Sequence, residues 1–162
     1  MKPTVNHIAV VAIFFACLPL LLGADFMEWD ADNFPSIVIP NITAQGVPQE
    51  KSASLKLYTN GNVHITAINT AAAQLTKTTD TLVTEYMLTD DGDGINTTGG
   101  TDQTVYTDYA TFLSTAYAIK YVADYNDVTV MLHVRASNSA GTLADAGLYE
   151  ATQTLTVHWG DP

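Results

Sequence analysis

Between Thr89 and Asn96 the chain gathers Asp90, Asp91 and Asp93 around Gly92 and Gly94, with Asp102 a short distance on. Hard cations such as calcium take several oxygen ligands at once, and an Asp-x-Asp spacing lets two carboxylates point the same way. The stretch departs from an EF-hand loop. With Asp91 first and Asp93 third, Ile95 falls at the fifth position and no Glu stands at the twelfth. Two readings stay open: calcium held by Asp90, Asp91 and Asp93, or a solvated acidic turn. Asp30 and Asp32 make a second, weaker acidic pair. His64, His133 and His158 fall on separate strand-like runs, and a zinc centre needs three such ligands to converge. Catalytic signatures are missing: no Gly-x-Ser-x-Gly elbow, no phosphate-binding glycine loop and no His-Glu-x-x-His. The expectation is a protein that is not an enzyme.

Whatever these residues do, strands must position them. Period-two alternation recurs, with turn residues between the runs. Ser54 to Thr59 sets Leu55 and Leu57 on one face; Val63, Ile65 and Ala67 share another beyond Asn60-Gly61-Asn62. Asn-Gly favours the positive φ of a tight hairpin, so a hairpin is expected there. Leu82, Tyr86 and Leu88 alternate through Thr81 to Thr89, and Val128, Val130, Leu132 and Val134 through Asp127 to Ala136. Leu148 to Trp159 places Tyr149, Ala151, Leu155, Val157 and Trp159 inward. Val105 to Val122 reads as a loop or short turn to about Ser114 and then a strand, and Ala71-Ala72-Ala73 as one helical turn. Short strands with polar connections predict an all-β, antiparallel sandwich.

At the N-terminus, Lys2, the apolar run Ile8 to Leu22 and the small-residue site Leu22-Gly23-Ala24 read as a secretory signal peptide over residues 1–24. The run is shorter than the roughly 20 residues of a bilayer span, so no stable membrane span is expected after cleavage. Cleavage after Ala24 removes Lys2 and the single cysteine, Cys17. The secreted product then has no disulfide to rely on. Six basic residues against 17 acidic ones give a formal net charge of -11, which argues against nucleic acid as a partner, since phosphate contacts need clustered cations. Asn41-Ile42-Thr43 and Asn96-Thr97-Thr98 are sequons, relevant only in a host that glycosylates asparagine.

The segment Asp145-Ala146-Gly147-Leu148-Tyr149-Glu150-Ala151 resembles the Asp-x-Gly-x-Tyr-x-Cys stretch that opens strand F of immunoglobulin-like domains, with Ala151 at the cysteine position. The resemblance implies a tyrosine corner of Asp145, Gly147 and Tyr149, and an immunoglobulin-like sandwich over residues 35–162 lacking its last strand. Gly147-Leu148-Tyr149 followed by Thr152 to Val157, with Val128 to Val134 before it, is also similar to the ending of secreted pilins and spore-coat-like β-sandwich proteins. Those proteins are completed by a strand from a neighbour. No pilin cysteine pair is present.

Residues 25–34 bear Phe26, Met27 and Trp29 close to the mature terminus, and Met27, Trp29 and Ala31 alternate as a donor strand would. The other reading is an ordinary first strand packed on its own domain. The functional expectation is a structural subunit of an extracellular filament, pilus or surface layer, a homopolymer assembled by strand complementation. The alternative is a secreted or surface-attached binding module for carbohydrate or adhesion, resting on Tyr58, Tyr106, Tyr109, Tyr117 and Tyr125 as exposed aromatic faces.

Overall fold

The structure is a computed structural model that describes residues 6–12, 26–91, 99–100, 102–121, 127–138 and 144–160. Along the chain the strands are β1 (Asn6–Ala12), β2 (Met27–Trp29), β3 (Ile37–Ile39), β4 (Gln49–Thr59), β5 (Val63–Ile68), β6 (Thr76–Lys77) and β7 (Asp80–Thr81). They continue as β8 (Val83–Asp90), β9 (Gly99–Gly100), β10 (Thr107–Asp108), β11 (Tyr117–Lys120), β12 (Asp127–Ser137) and β13 (Glu150–Trp159). Ala71–Ala73 forms a 3-10 turn between β5 and β6.

Two sheets pack face to face. Sheet I runs β3-β1-β13-β5-β11-β9, with β6 against β13 and β7 against β6; sheet II runs β10-β8-β12-β4-β2. The order β2-β4-β12-β8 is that of strands A, B, E and D of an immunoglobulin-like sandwich, and β13 and β5 take the places of F and C. The fold is the all-β sandwich that the alternation predicts. One pair departs from it: β1 lies parallel to β13 at the place of strand G.

The alternation determines what is buried. Along β12 every second residue from Val128 to Ala136 is enclosed, because successive side chains leave opposite faces of a strand. Leu55, Leu57, Val63, Ile65, Leu82, Val130, Leu132, Val134, Tyr149 and Leu155 are all core residues, and Val157 packs against the core half-buried. Tyr86 and Phe112 stack at 5.2 Å between centroids, and Tyr86 donates its hydroxyl to the Ala73 carbonyl at 2.6 Å. The core also reaches upstream of residue 35: Trp29 and Phe34 are buried and meet edge-on at 5.7 Å.

The Asn60–Asn62 turn does not make a hairpin. Strand β4 belongs to sheet II and β5 to sheet I, so the chain arches between layers. None of the three residues has a positive φ. Thr59 closes the arch instead, its hydroxyl donating to Gly61 O at 2.8 Å and accepting Gly61 N–H at 3.2 Å. The glycine lies close under the Trp159 ring: a Cβ there would stand 3.0 Å from it, and the ring would have to shift by a few tenths of an ångström. The Asn-Gly signal is local, whereas strand pairing follows from where each apolar face is buried. Trp159 differs from expectation too. It lies at the rim, 43% exposed, while Gln153, unremarked in the sequence, is fully buried.

Candidate functional site

Strand β13 has the most unusual surroundings in the molecule. Its entry is a corner: Tyr149, itself buried, donates its hydroxyl to the Asp145 carbonyl at 2.7 Å. Lys77 crosses this corner and donates to the Ala146 carbonyl at 2.7 Å, and a side chain at Gly147 would displace it. Asp80 Oδ2 accepts the Asp145 N–H at 3.1 Å. The β6–β7 pair thus clamps the corner from which β13 departs. Burial, with Asp80 and Asp145 nearby, raises the Tyr149 phenol above its ordinary value and keeps it a donor.

Beyond the corner β13 has partners on both edges, and those of β1 and β5 overlap at Thr154 and Leu155. Ile68 to Val63 of β5 line one edge antiparallel. On the other, His7 to Ala12 lie parallel to Glu150 to Leu155, and Asn6 to Ile8 pair antiparallel with Ile39 to Ile37. A segment from the far N-terminal end of the chain therefore fills a slot between β13 and β3. Five of its residues, Ile8 to Ala12, belong to the apolar run of the signal-peptide reading. Behind the slot sits Gln153, whose amide nitrogen donates to the Ile68 and Thr154 carbonyls at 3.4 and 3.2 Å; its Oε1 has no hydrogen-bond partner among the described residues.

The segment singled out as a donor strand lies elsewhere. Met27 to Trp29 pair antiparallel with Thr59 to Leu57 on the edge of sheet II, and Trp29 is 2% exposed. Phe26 is tied to the arch, its N–H bonding Asn60 Oδ1 at 2.8 Å, and Ala31 is exposed.

Asp90, Asp91 and Asp102 are brought against β11 and β12. Tyr117 donates to Asp90 Oδ2 at 2.5 Å and approaches Asp102 Oδ1 at 3.3 Å, and that Asp102 oxygen accepts the Asp90 N–H at 2.8 Å. Asp91 Oδ1 accepts the Thr129 N–H at 2.9 Å. These carboxylates fasten the end of β8 to its neighbours, and burial together with Asp90 pushes the Tyr117 phenol well up. Asp93 lies outside the described residues, and among those described no group of three or more His, Cys, Asp or Glu gathers as metal ligands do. Asn41 is exposed; Asn96, like Cys17, falls outside the described residues.

The aromatic supply is less free than the sequence suggests. Tyr117 is buried at 5% exposure, and Tyr109 packs against the core. Tyr106 carries the Arg135 guanidinium 4.3 Å from its ring centre and donates to Glu50 Oε2 at 3.1 Å. Burial and Glu50 push its phenol up to about 12. Arg135 in turn makes a two-pronged bond to Glu85, both contacts at 2.9 Å. This cross-strand assembly escaped sequence reasoning because its members come from three separate strands and the connection before β10.

Of the three histidines considered as ligands, His133 stands apart in sheet II, bonded to Thr89 Oγ1 at 2.9 Å, while His64 and His158 are opposed in sheet I. Comparison with protein-family models and with curated proteins returned no match. No helix among the described residues is long and apolar enough to cross a membrane.

Proposed function

We propose that this protein is a non-catalytic structural subunit of an extracellular filament, pilus or surface layer, in which a strand from one copy completes the sandwich of the next. The observation that carries this reading is the slot between β13 and β3, occupied by Asn6–Ala12. If the signal peptide is removed after Ala24, that occupant leaves. The Glu150–Leu155 edge of β13 and the Ile37–Ile39 edge then lack partners, and unpaired edges template addition of another strand. Each restored backbone hydrogen bond contributes about 0.5–1.5 kcal/mol net. Insertion of one copy into the next is head-to-tail and does not close, so it produces fibres.

The donor segment in this proposal is Phe26 to Ala31, at the start of the processed chain. Donation requires Met27–Trp29 to leave β4 and Trp29 to exchange one buried site for another. Electron microscopy of the processed chain, residues 25–162, tests the reading. Filaments are expected from it, and none when a synthetic peptide of residues 6–12 is added in excess to fill the slot. A processed chain that stays monomeric, or filaments indifferent to the peptide, defeats the proposal.

A further inference from the structure

His64 in β5 and His158 in β13 stand directly opposite each other on the outward face of sheet I. Two residues along, Gly160 donates its N–H to the Asn62 carbonyl at 2.7 Å, which marks that pair as hydrogen-bonded. The antiparallel ladder alternates, so the histidine pair is again of that type, with Cα atoms about 5.5 Å apart. Opposed side chains at such positions begin about 4.5–5.5 Å from each other at Cβ, a span that one metal ion between two imidazoles bridges. On the far side of His64 the register places Ala118, which leaves room above the pair, and Thr66 with Thr156 forms the next row. Lys120, two residues beyond Ala118, is exposed, and its long stem lets the ammonium stay in water.

Thr66 supplies the second observation. Its hydroxyl donates to the Thr156 carbonyl at 3.4 Å and lies 3.2 Å from His158 Nε2. With its one proton directed to that carbonyl, the oxygen can accept from Nε2–H in the His158 tautomer that leaves the lone pair on Nδ1. Metal-bound histidines characteristically donate their other ring N–H to such an outer partner, which sets tautomer and ring orientation.

We propose that His64 and His158 form a two-imidazole site for a divalent late first-row transition metal, copper, nickel or zinc, with water completing the coordination. Imidazole nitrogens suit these ions, and the ion would staple β5 to β13 across the ladder. Binding to the folded state alone raises stability by mass action. The site is independent of filament assembly.

The test is a Cu(II) titration of the untagged full-length chain, followed by tryptophan fluorescence. Trp159 adjoins His158 at the rim, whereas Trp29 is buried at the sheet II edge, so quenching reports the site. A saturable, stoichiometric quench with a rise in melting temperature is expected. His64→Ala or His158→Ala should each weaken binding by roughly tenfold or more, and Thr66→Val by a smaller factor. His7→Ala and His133→Ala should leave it unchanged. The absence of a saturable quench, undiminished binding in either histidine variant, or loss in either control overturns the assignment.

Discussion

Strands β12 and β13 occupy facing sheets of the sandwich, yet they are held in different ways. Strand β12 has antiparallel neighbours along nearly all its length, β4 against Asp127 to Ala136 and β8 against Val130 to Ser137. Its outward side chains are fastened across strands, Asp127 to Lys56 at 2.7 Å and Arg135 to Glu85 at 2.9 Å. Strand β13 has antiparallel neighbours on one edge, β5 against Thr154 to Trp159 and β6 at Glu150, and on its other edge depends on β1, drawn in parallel from the far N-terminus. It also encloses an amide with an unpartnered oxygen. Sheet II is thus completed by strands lying between Met27 and Ser137, whereas sheet I relies on a segment that the signal-peptide reading removes.

The largest effects should come from sheet II. Leu132→Ala removes a fully buried side chain from the middle of β12 and should lower unfolding free energy by about 2–5 kcal/mol in denaturant melts. Next is Tyr86→Phe, which keeps the ring against Phe112 but leaves the Ala73 carbonyl without its donor; a loss of about 1–3 kcal/mol is expected. A loss indistinguishable from zero would show that water replaces the hydroxyl there.

Deleting residues 1–12 addresses the contrast directly. Amide exchange in Glu150 to Leu155 should accelerate by at least about tenfold while β12 amides keep their protection, since local opening follows local pairing. Equal acceleration in both strands would erase the distinction between the sheets. Smaller still is Gln153→Met, which replaces an amide with an unpartnered oxygen by an apolar chain of similar volume. Stability should rise, or change by less than about 1 kcal/mol.

The smallest expected effect is a pH dependence at His133. Burial holds its imidazole below the ordinary 6.5, outweighing the opposing pull of Glu50 and Asp102. The folded state therefore binds that proton less readily than the unfolded chain. The stability involved is present above the ordinary histidine range and is lost as pH falls below about 6.5. Thermal melts between pH 7 and pH 5 should show this decline, and His133→Gln should flatten it.

Alternation and turn chemistry determined a large part of this protein. An all-β sandwich, the buried faces of β4, β5, β8, β12 and β13, and the turn at Ala71–Ala73 all follow from residues close in sequence, because a strand's two faces are set by its period of two. The corner geometry around Tyr149 rests on the same kind of local signal, an aromatic four residues after the carbonyl it binds. Other features depend on which strands meet. Asn60-Gly61-Asn62 has the composition of a hairpin yet spans two sheets, because Leu57 and Val63 are buried in opposing layers. The opposition of His64 and His158, the Glu50–Tyr106–Arg135–Glu85 assembly and the pairing of residue 7 with residue 150 join positions far apart in the chain. No local pattern encodes such register. It arises when the apolar faces are buried together, and only the tertiary structure decides it.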